Sequence, residues 1–205
     1  TSVFMSNKIN LGENLIVAEV GCGDWRSSDI KNYNFETTYL FEPNILLYQD
    51  IVKNTINDNK IKSFNCALSD RDYIGKLYNY GYTSFLKGSD SFVNLWSWDA
   101  LGKIPPSDPE VFYKDLTTNV PVFNAAILDK EINLLILTNN GCEYRVLQNL
   151  QFRPKFIQIK YYLHTIKQMA YFNLISDWMK QNRYASNVLE TAQYNTYFNL
   201  LFVKV

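Results

Sequence analysis

Three short stretches of this chain place glycines and carboxylates where a small ligand could be held. They are Glu19-Val20-Gly21-Cys22-Gly23-Asp24, the single residue Glu42, and Ala67-Leu68-Ser69-Asp70. Gly21 and Gly23 let the backbone turn tightly and come close to a ligand. A carboxylate at Glu42 can accept both hydroxyls of a ribose. Each stretch closes an apolar run of strand character, so all three fall at strand C-terminal ends, where open α/β sheets bind their ligands. Each also has a plainer reading. Gly-x-Gly makes ordinary turns, Glu42 before Pro43 suits a solvated helix start, and Asp70 suits a turn or cap. Their joint placement favours a nucleoside-containing ligand.

Deprotonating a hydroxyl needs a base within hydrogen-bond reach. The candidates are His164, Glu143 and Asp129. His164 is the one histidine in the chain and the only side chain whose ordinary pKa lies near neutrality. It could equally pack among Tyr161, Tyr162 and Leu163. Glu143 could equally be a first-turn helix residue favoured by the helix dipole. Asn139-Asn140-Gly141 could contact a ligand or simply turn the chain. Cys22 and Cys142 have no adjacent base in sequence and read as small buried residues. Trp96, Trp98 and Tyr113 lie among prolines and could face a sugar or a base, or form a small core under a long loop.

The elements that must position these residues alternate in type. Residues 15–20, 37–42 and 61–68 read as strands, with an apolar helical face after Pro43. Residues 76–80 read as a short edge strand and 120–128 as a further strand. Residues 132–138 and 155–163 are strands followed by helices over 142–150 and 166–182. Strands at 185–190 and 196–205 end the chain, and their short link forces an antiparallel pair. The pattern predicts an α/β fold: one doubly wound, mostly parallel, seven-stranded sheet with an antiparallel C-terminal strand. Residues 1–205 are expected to form a single domain, with an irregular insertion at about 83–119.

Composition bounds the setting. The chain has 205 residues, 47% hydrophobic and 20% charged, which is enough for a sizeable core. Twenty basic residues balance twenty acidic ones, which argues against a nucleic-acid coat or polybasic membrane binder. Three cysteines without ligand spacing and one histidine predict no metal site and no disulfide framework. No apolar run approaches a membrane span, and residues 1–10 carry no signal-peptide core. A cytoplasmic setting is expected.

In this order and spacing the stretches resemble the FkbM-type branch of the class I S-adenosylmethionine-dependent methyltransferases. The residues that carry the resemblance are Val17-Ala18-Glu19-Val20-Gly21-Cys22-Gly23, Leu40-Phe41-Glu42-Pro43, Asn65-Cys66-Ala67-Leu68-Ser69-Asp70, Thr83-Ser84, Leu128-Asp129 and Gly141-Cys142-Glu143-Tyr144-Arg145-Val146-Leu147, with Asn199 to Lys204 as the closing strand. The resemblance implies S-adenosylmethionine as cofactor. Gly21 and Gly23 would lie under its methionine part, Glu42 would bind its ribose, Cys66, Ala67 and Leu68 would neighbour its adenine, and Glu19 would be a further cofactor-binding residue. It further implies methylation of a small-molecule hydroxyl, with carbohydrate as the expected class. The chain departs from the family at five positions. Trp25 stands where a further glycine is usual. The acidic motif Lys-x-Asp-x-Glu-Gly-x-Glu reads Ile136, Thr138, Asn140, Gly141 and Glu143. Lys160 replaces a glutamate at the end of the fifth strand. These losses leave His164 and Glu143 as the bases. They also keep open a non-catalytic binding or scaffold module. A nicotinamide oxidoreductase ranks last, because Arg26 stands where the third glycine should open a helix.

Overall fold

A computed structural model describes residues 9–79, 84–89, 117–138, 141–162, 166–191 and 197–205. In chain order its elements are β1 (Leu15–Val20), a 3-10 turn (Asp29–Asn32), β2 (Phe35–Phe41), α1 (Ile45–Thr55), β3 (Ile61–Phe64) and β4 (Ala67–Ser69). There follow β5 (Tyr73–Tyr78), β6 (Phe85–Leu86), β7 (Thr117–Asn124), a second 3-10 turn (Ala125–Ile127) and β8 (Leu134–Leu137). The chain continues through α2 (Glu143–Asn149), β9 (Phe156–Tyr162), α3 (Ile166–Gln181), β10 (Tyr184–Thr191) and β11 (Tyr197–Lys204).

The main sheet has seven strands in the order β10-β11-β9-β8-β1-β2-β3. The pairs β9–β8, β8–β1, β1–β2 and β2–β3 are parallel, and β11 is antiparallel to both β9 and β10. The expected fold class is therefore the observed one. Successive strands step one way from β1 to β3 and the other way from β8 to β9. The direction reverses between β1 and β8, which makes their C-terminal ends the switch point.

Alternation along the central strands builds two cores. Ala18, Val20, Leu135, Leu137, Ile157 and Ile159 face α2 and α3, meeting Val146, Leu147, Ile175, Trp178 and Met179. Leu15, Val17, Leu40, Leu134 and Ile136 face the other side, under Ile51 of α1 and Ile30 of the 3-10 turn. Burial on both faces is why β1 and β8 read as unbroken apolar runs. No helix among the described residues is long and apolar enough to cross a membrane.

The expectation of one sheet needs a correction. The apolar run 61–68 is broken: β3 ends at Phe64, and β4 joins a second sheet of order β4-β7-β5-β6. The break lies at Asn65, whose Nδ2 donates to the carbonyls of Glu42 and Pro43 at 2.8 and 3.1 Å and turns the chain off the main sheet. The ends of the expected insertion are also ordered strands, β6 and the start of β7. Residues 90–116, with Trp96, Trp98 and Tyr113, lie outside the described residues.

Candidate functional site

At the switch point the chain leaves β1 through Gly21 and Gly23, both with positive φ (76° and 71°), a conformation that favours glycine. The turn is fastened mostly to its neighbours. Gly21 N–H donates to Phe41 O at 2.8 Å, and Cys22 N–H reaches the same carbonyl at 3.4 Å. Gly23 N–H donates to Glu42 Oε2 at 2.8 Å, and Trp25 N–H to Asp50 Oδ2 of α1 at 2.9 Å. From the other side Thr138, just past β8, donates its hydroxyl to Gly21 O at 2.7 Å. No α-helix follows this turn; only the 3-10 turn Asp29–Asn32 stands between β1 and β2.

Trp25 does not crowd the site. Its side chain packs against the apolar cluster beneath α1, with Lys31 Nζ 5.6 Å from its ring centroid. Glu42 is buried, with Oε1 accepting from Asn44 N–H at 2.8 Å and Oε2 from Gly23 N–H. Burial pushes its carboxyl up to about 7, and the two backbone N–H bonds oppose that rise. Asn44, rather than Pro43, caps α1: its Oδ1 accepts from Leu46 N–H at 3.0 Å, and its Nδ2 donates to Ser84 Oγ at 3.1 Å.

These residues open onto a shared cleft. Gly21, Gly23, Glu42, Ala67, Leu68 and Thr138 line it, together with Cys66 and Cys142. Leu77, Ser84, Phe85 and Leu86 of the second sheet form its far wall. Glu42 is the only charged side chain among the described residues that line it. Burial raises the Cys66 thiol to about 11, so this sulfur is no thiolate at neutral pH.

Six of the seven residues expected around the cofactor thus meet at one cleft: Gly21, Gly23, Glu42, Cys66, Ala67 and Leu68. The seventh, Glu19, points elsewhere. It is 1% exposed on the α1 side of the sheet, where Ser28 Oγ donates to Oε2 at 2.5 Å and Asp29 N–H donates to Oε1 at 2.8 Å. Alternation along β1 explains it, because Glu19 shares the strand face of Leu15 and Val17. Burial, then the nearby Asp29 carboxylate, push its carboxyl up to about 8. Asp29 in turn pairs with Lys160 Nζ at 2.8 Å. A neighbouring chain of polar contacts runs from Tyr33 OH to Gln158 Oε1 (2.5 Å) and from Gln158 Nε2 to Asn199 Oδ1 (3.0 Å).

The catalytic candidates fare differently. Glu143 is buried at the start of α2, and its Oε2 accepts from Gly141 N–H at 2.9 Å and from Tyr171 OH at 3.1 Å. It does not line the cleft. Its placement corrects the expectation of a base facing a substrate, because one oxygen already closes the turn before α2. His164, Asn139, Asn140 and Thr83 lie outside the described residues. Asp129 accepts Glu131 N–H at 2.9 Å in an exposed turn away from the cleft.

Sequence reasoning missed the roles of Asp50, Asn44 and the β5–β6 wall. Asn44 was findable as the polar residue before an apolar helical run. Asp50, mid-helix, carries no local signal.

No family model and no curated protein sequence matches this chain. Among solved structures, the methyltransferase FkbM from Methylobacillus flagellatus KT aligns with a TM-score of 0.58 and 11% identity, over 98% of this chain and 46% of that one. This chain therefore spans less than half the length of that protein. Ribosomal protein L11 methylase from Lactobacillus delbrueckii subsp. bulgaricus aligns at a TM-score of 0.48 and 8% identity, over 95% and 73% of the two chains. SMU.1697c from Streptococcus mutans, a putative methyltransferase in complex with SAH, aligns at 0.47 and 10% identity, over 98% and 94%. The first likeness shows that this chain has the Rossmann-like methyltransferase fold.

Proposed function

We propose that this chain is an S-adenosylmethionine-dependent methyltransferase of the FkbM type, acting on a hydroxyl of a small molecule, with carbohydrate the favoured class. The observation that carries the cofactor half is the wiring of the glycine turn. The N–H groups of Gly21, Cys22, Gly23 and Trp25 all donate within the protein, and no α-helix opens behind them. Phosphate-binding glycine loops need free N–H groups at a helix N-terminus. This turn offers neither, and among the described residues the cleft beside it is lined by one carboxylate and no cation. A phosphate-free nucleoside that carries a positive charge fits those walls; a dinucleotide does not.

The residues present fit that cofactor. Each Glu42 oxygen holds one N–H and keeps a lone pair for a ribose hydroxyl. Ala67, Leu68, Leu77 and Phe85 offer apolar surface for a base. When bound, the cofactor would supply an electrophilic methyl group. The chain's own part is to bind, orient and exclude water.

The acceptor class rests on the family resemblance and on the absence of net charge, which gives no general attraction for nucleic acid. We also propose that residues 1–205 act as one domain. A second reading, a binding module without chemistry, draws on the acceptor edge: Glu143, Lys160 and Thr138 are all engaged in contacts within the protein. Calorimetric titration with S-adenosylhomocysteine, and with NAD as control, tests the cofactor. Binding of the first and not the second is expected, and the reverse would end this reading. A methylation assay on small hydroxyl acceptors, with and without chelator and on the parent and His164→Ala, then separates enzyme from module.

A further inference from the structure

Among the described residues the two sheets end in β3, β10, β4 and β6. Three of these edges are short: β3, β4 and β6 have four, three and two residues. β10 has eight. An edge strand presents unpaired N–H and C=O groups, and proteins blunt it by shortness, proline, charge, a bulge or a covering element. β10 lacks most of these. From Tyr184 to Leu189 it reads Tyr-Ala-Ser-Asn-Val-Leu, without proline or charge. Ala185, Ser186, Asn187 and Val188 are all exposed, so neither face of this stretch is covered. Its one irregularity, at Leu189, lies beyond them and shifts the register against β11.

The phase of the ladder decides which backbone groups face outward. Val205 N–H of β11's end donates to Arg183 O at 2.9 Å, and the register pairs Ala185 with Val203 and Asn187 with Leu201. Bonded positions alternate along an antiparallel pair. Ala185 and Asn187 therefore bond β11, and the N–H and C=O groups of Tyr184, Ser186 and Val188 point to the open edge. A second copy of the same strand satisfies them. Turned antiparallel about a two-fold axis at Ser186, it sets Val188 opposite Tyr184 and Ser186 opposite Ser186, each pair exchanging two backbone bonds.

The side chains agree with that register. Val188 is 59% exposed, and the pairing lays it beside the Tyr184 ring of the other copy, an aromatic and β-branched cross-strand pair. At each end the register brings the position of Arg183 within one residue of Glu190 of the other copy, so the charges there are opposite in sign. We propose that β10 is a dimerisation edge: two copies of this chain pair antiparallel through residues 184–188 and join their seven-stranded sheets into one. The inference stands apart from the cofactor reading.

Sedimentation equilibrium from micromolar to millimolar loading tests it. The parent should be a monomer–dimer system that goes no further, because a two-fold pairing closes. Ser186→Pro removes an N–H that only the second copy uses, and Val188→Lys adds a charge to the edge. Each should weaken the dimer by about tenfold or more, as for the loss of two backbone bonds. Glu190→Arg should weaken it by about tenfold through like charges at both ends. The double variant Arg183→Glu with Glu190→Arg should return it to within about threefold of the parent. Far-ultraviolet circular dichroism checks that each variant is folded, and the exposed changes at Val188 and at the two charges carry the test if Ser186→Pro is not. A parent that stays monomeric overturns the inference. So does a dimer untouched by Val188→Lys and by Glu190→Arg, whose interface must lie elsewhere, and so does growth beyond a dimer.

Discussion

Replacing Glu19 by glutamine should stabilise the protein at neutral pH. In the folded chain the Glu19 carboxyl is raised to about 8 from the ordinary 4.5, chiefly by burial and then by Asp29. The folded state therefore holds the proton over a range where the unfolded chain has released it. The contribution is fully favourable below pH 4.5 and is lost as pH rises toward 8. At about 1.4 kcal/mol per pH unit, ionisation in the unfolded chain costs the fold on the order of 3 kcal/mol by pH 7. Glutamine imitates the protonated acid. Its amide oxygen can accept Asp29 N–H, and its NH₂ can donate to the Ser28 hydroxyl, so the local contacts survive. Urea unfolding of parent and Glu19→Gln at half-unit steps from pH 5 to 9 measures the difference. The sharpest window is pH 7 to 8. Glu42, raised to about 7, is half titrated at pH 7 and nearly finished by pH 8 and contributes equally to both proteins, so the parent should lose about 1 kcal/mol more than the variant across this window. A variant less stable than the parent at pH 7, or an identical slope above pH 7, would refute the reasoning. Either result would mean that Glu19 is ionised in the folded protein and that Lys160 reaches it through Asp29.

Three further outcomes are expected. Glu42→Ala should weaken S-adenosylhomocysteine binding by at least about 1–3 kcal/mol, the cost of leaving buried hydroxyls unpaired; unchanged affinity by calorimetry would contradict the placement of the ribose. Lys160→Met should destabilise the fold by about 3 kcal/mol by stranding the Asp29 carboxylate, whereas the double variant with Asp29→Asn should recover most of the loss in urea unfolding. Gly75→Ala should cost about 1–3 kcal/mol, because a Cβ there would lie 2.7 Å from Val122 Cγ2 and 3.3 Å from Leu86 Cδ2. Its melting temperature checks this, and nucleoside binding should weaken with it, since Leu86 lines the cleft.

The main sheet was legible because its central strands are buried on both faces and so spell continuous apolar runs, while α1 and α3 show helical spacing. The second sheet was not, because its strands β4 and β6 are three and two residues long and are defined by partners distant in sequence. The run 61–68 looks like one strand until Asn65 is seen donating to two carbonyls more than twenty residues earlier. The same limit applied at the site. Gly21, Gly23 and Glu42 announce themselves by type and position. Strand alternation would have placed Glu19 with Leu15 and Val17, but nothing local tells that Trp25 packs against the cluster beneath α1 or that Asp50 accepts its N–H.

The cleft's two halves differ in how much of their chemistry is already spent. On the proposed cofactor side the spent groups are backbone N–H donors, those of Gly21, Cys22, Gly23 and Trp25, which are thereby withheld from a phosphate. On the acceptor side the spent groups are side chains. Glu143 closes the turn before α2, Lys160 holds Asp29, and Thr138 holds Gly21. Those contacts tie each side chain to the protein itself. Methyl transfer from a sulfonium tolerates that arrangement better than most chemistry, because the leaving group departs neutral and needs no acid to help it. In-line orientation and exclusion of water would then carry most of the rate enhancement. The second sheet would serve both, since its β5–β6 strands put Leu77, Phe85 and Leu86 across the cleft. Asn44 and Arg145 hold that hairpin from opposite sides, at Ser84 Oγ (3.1 Å) and Gly88 O (2.6 Å).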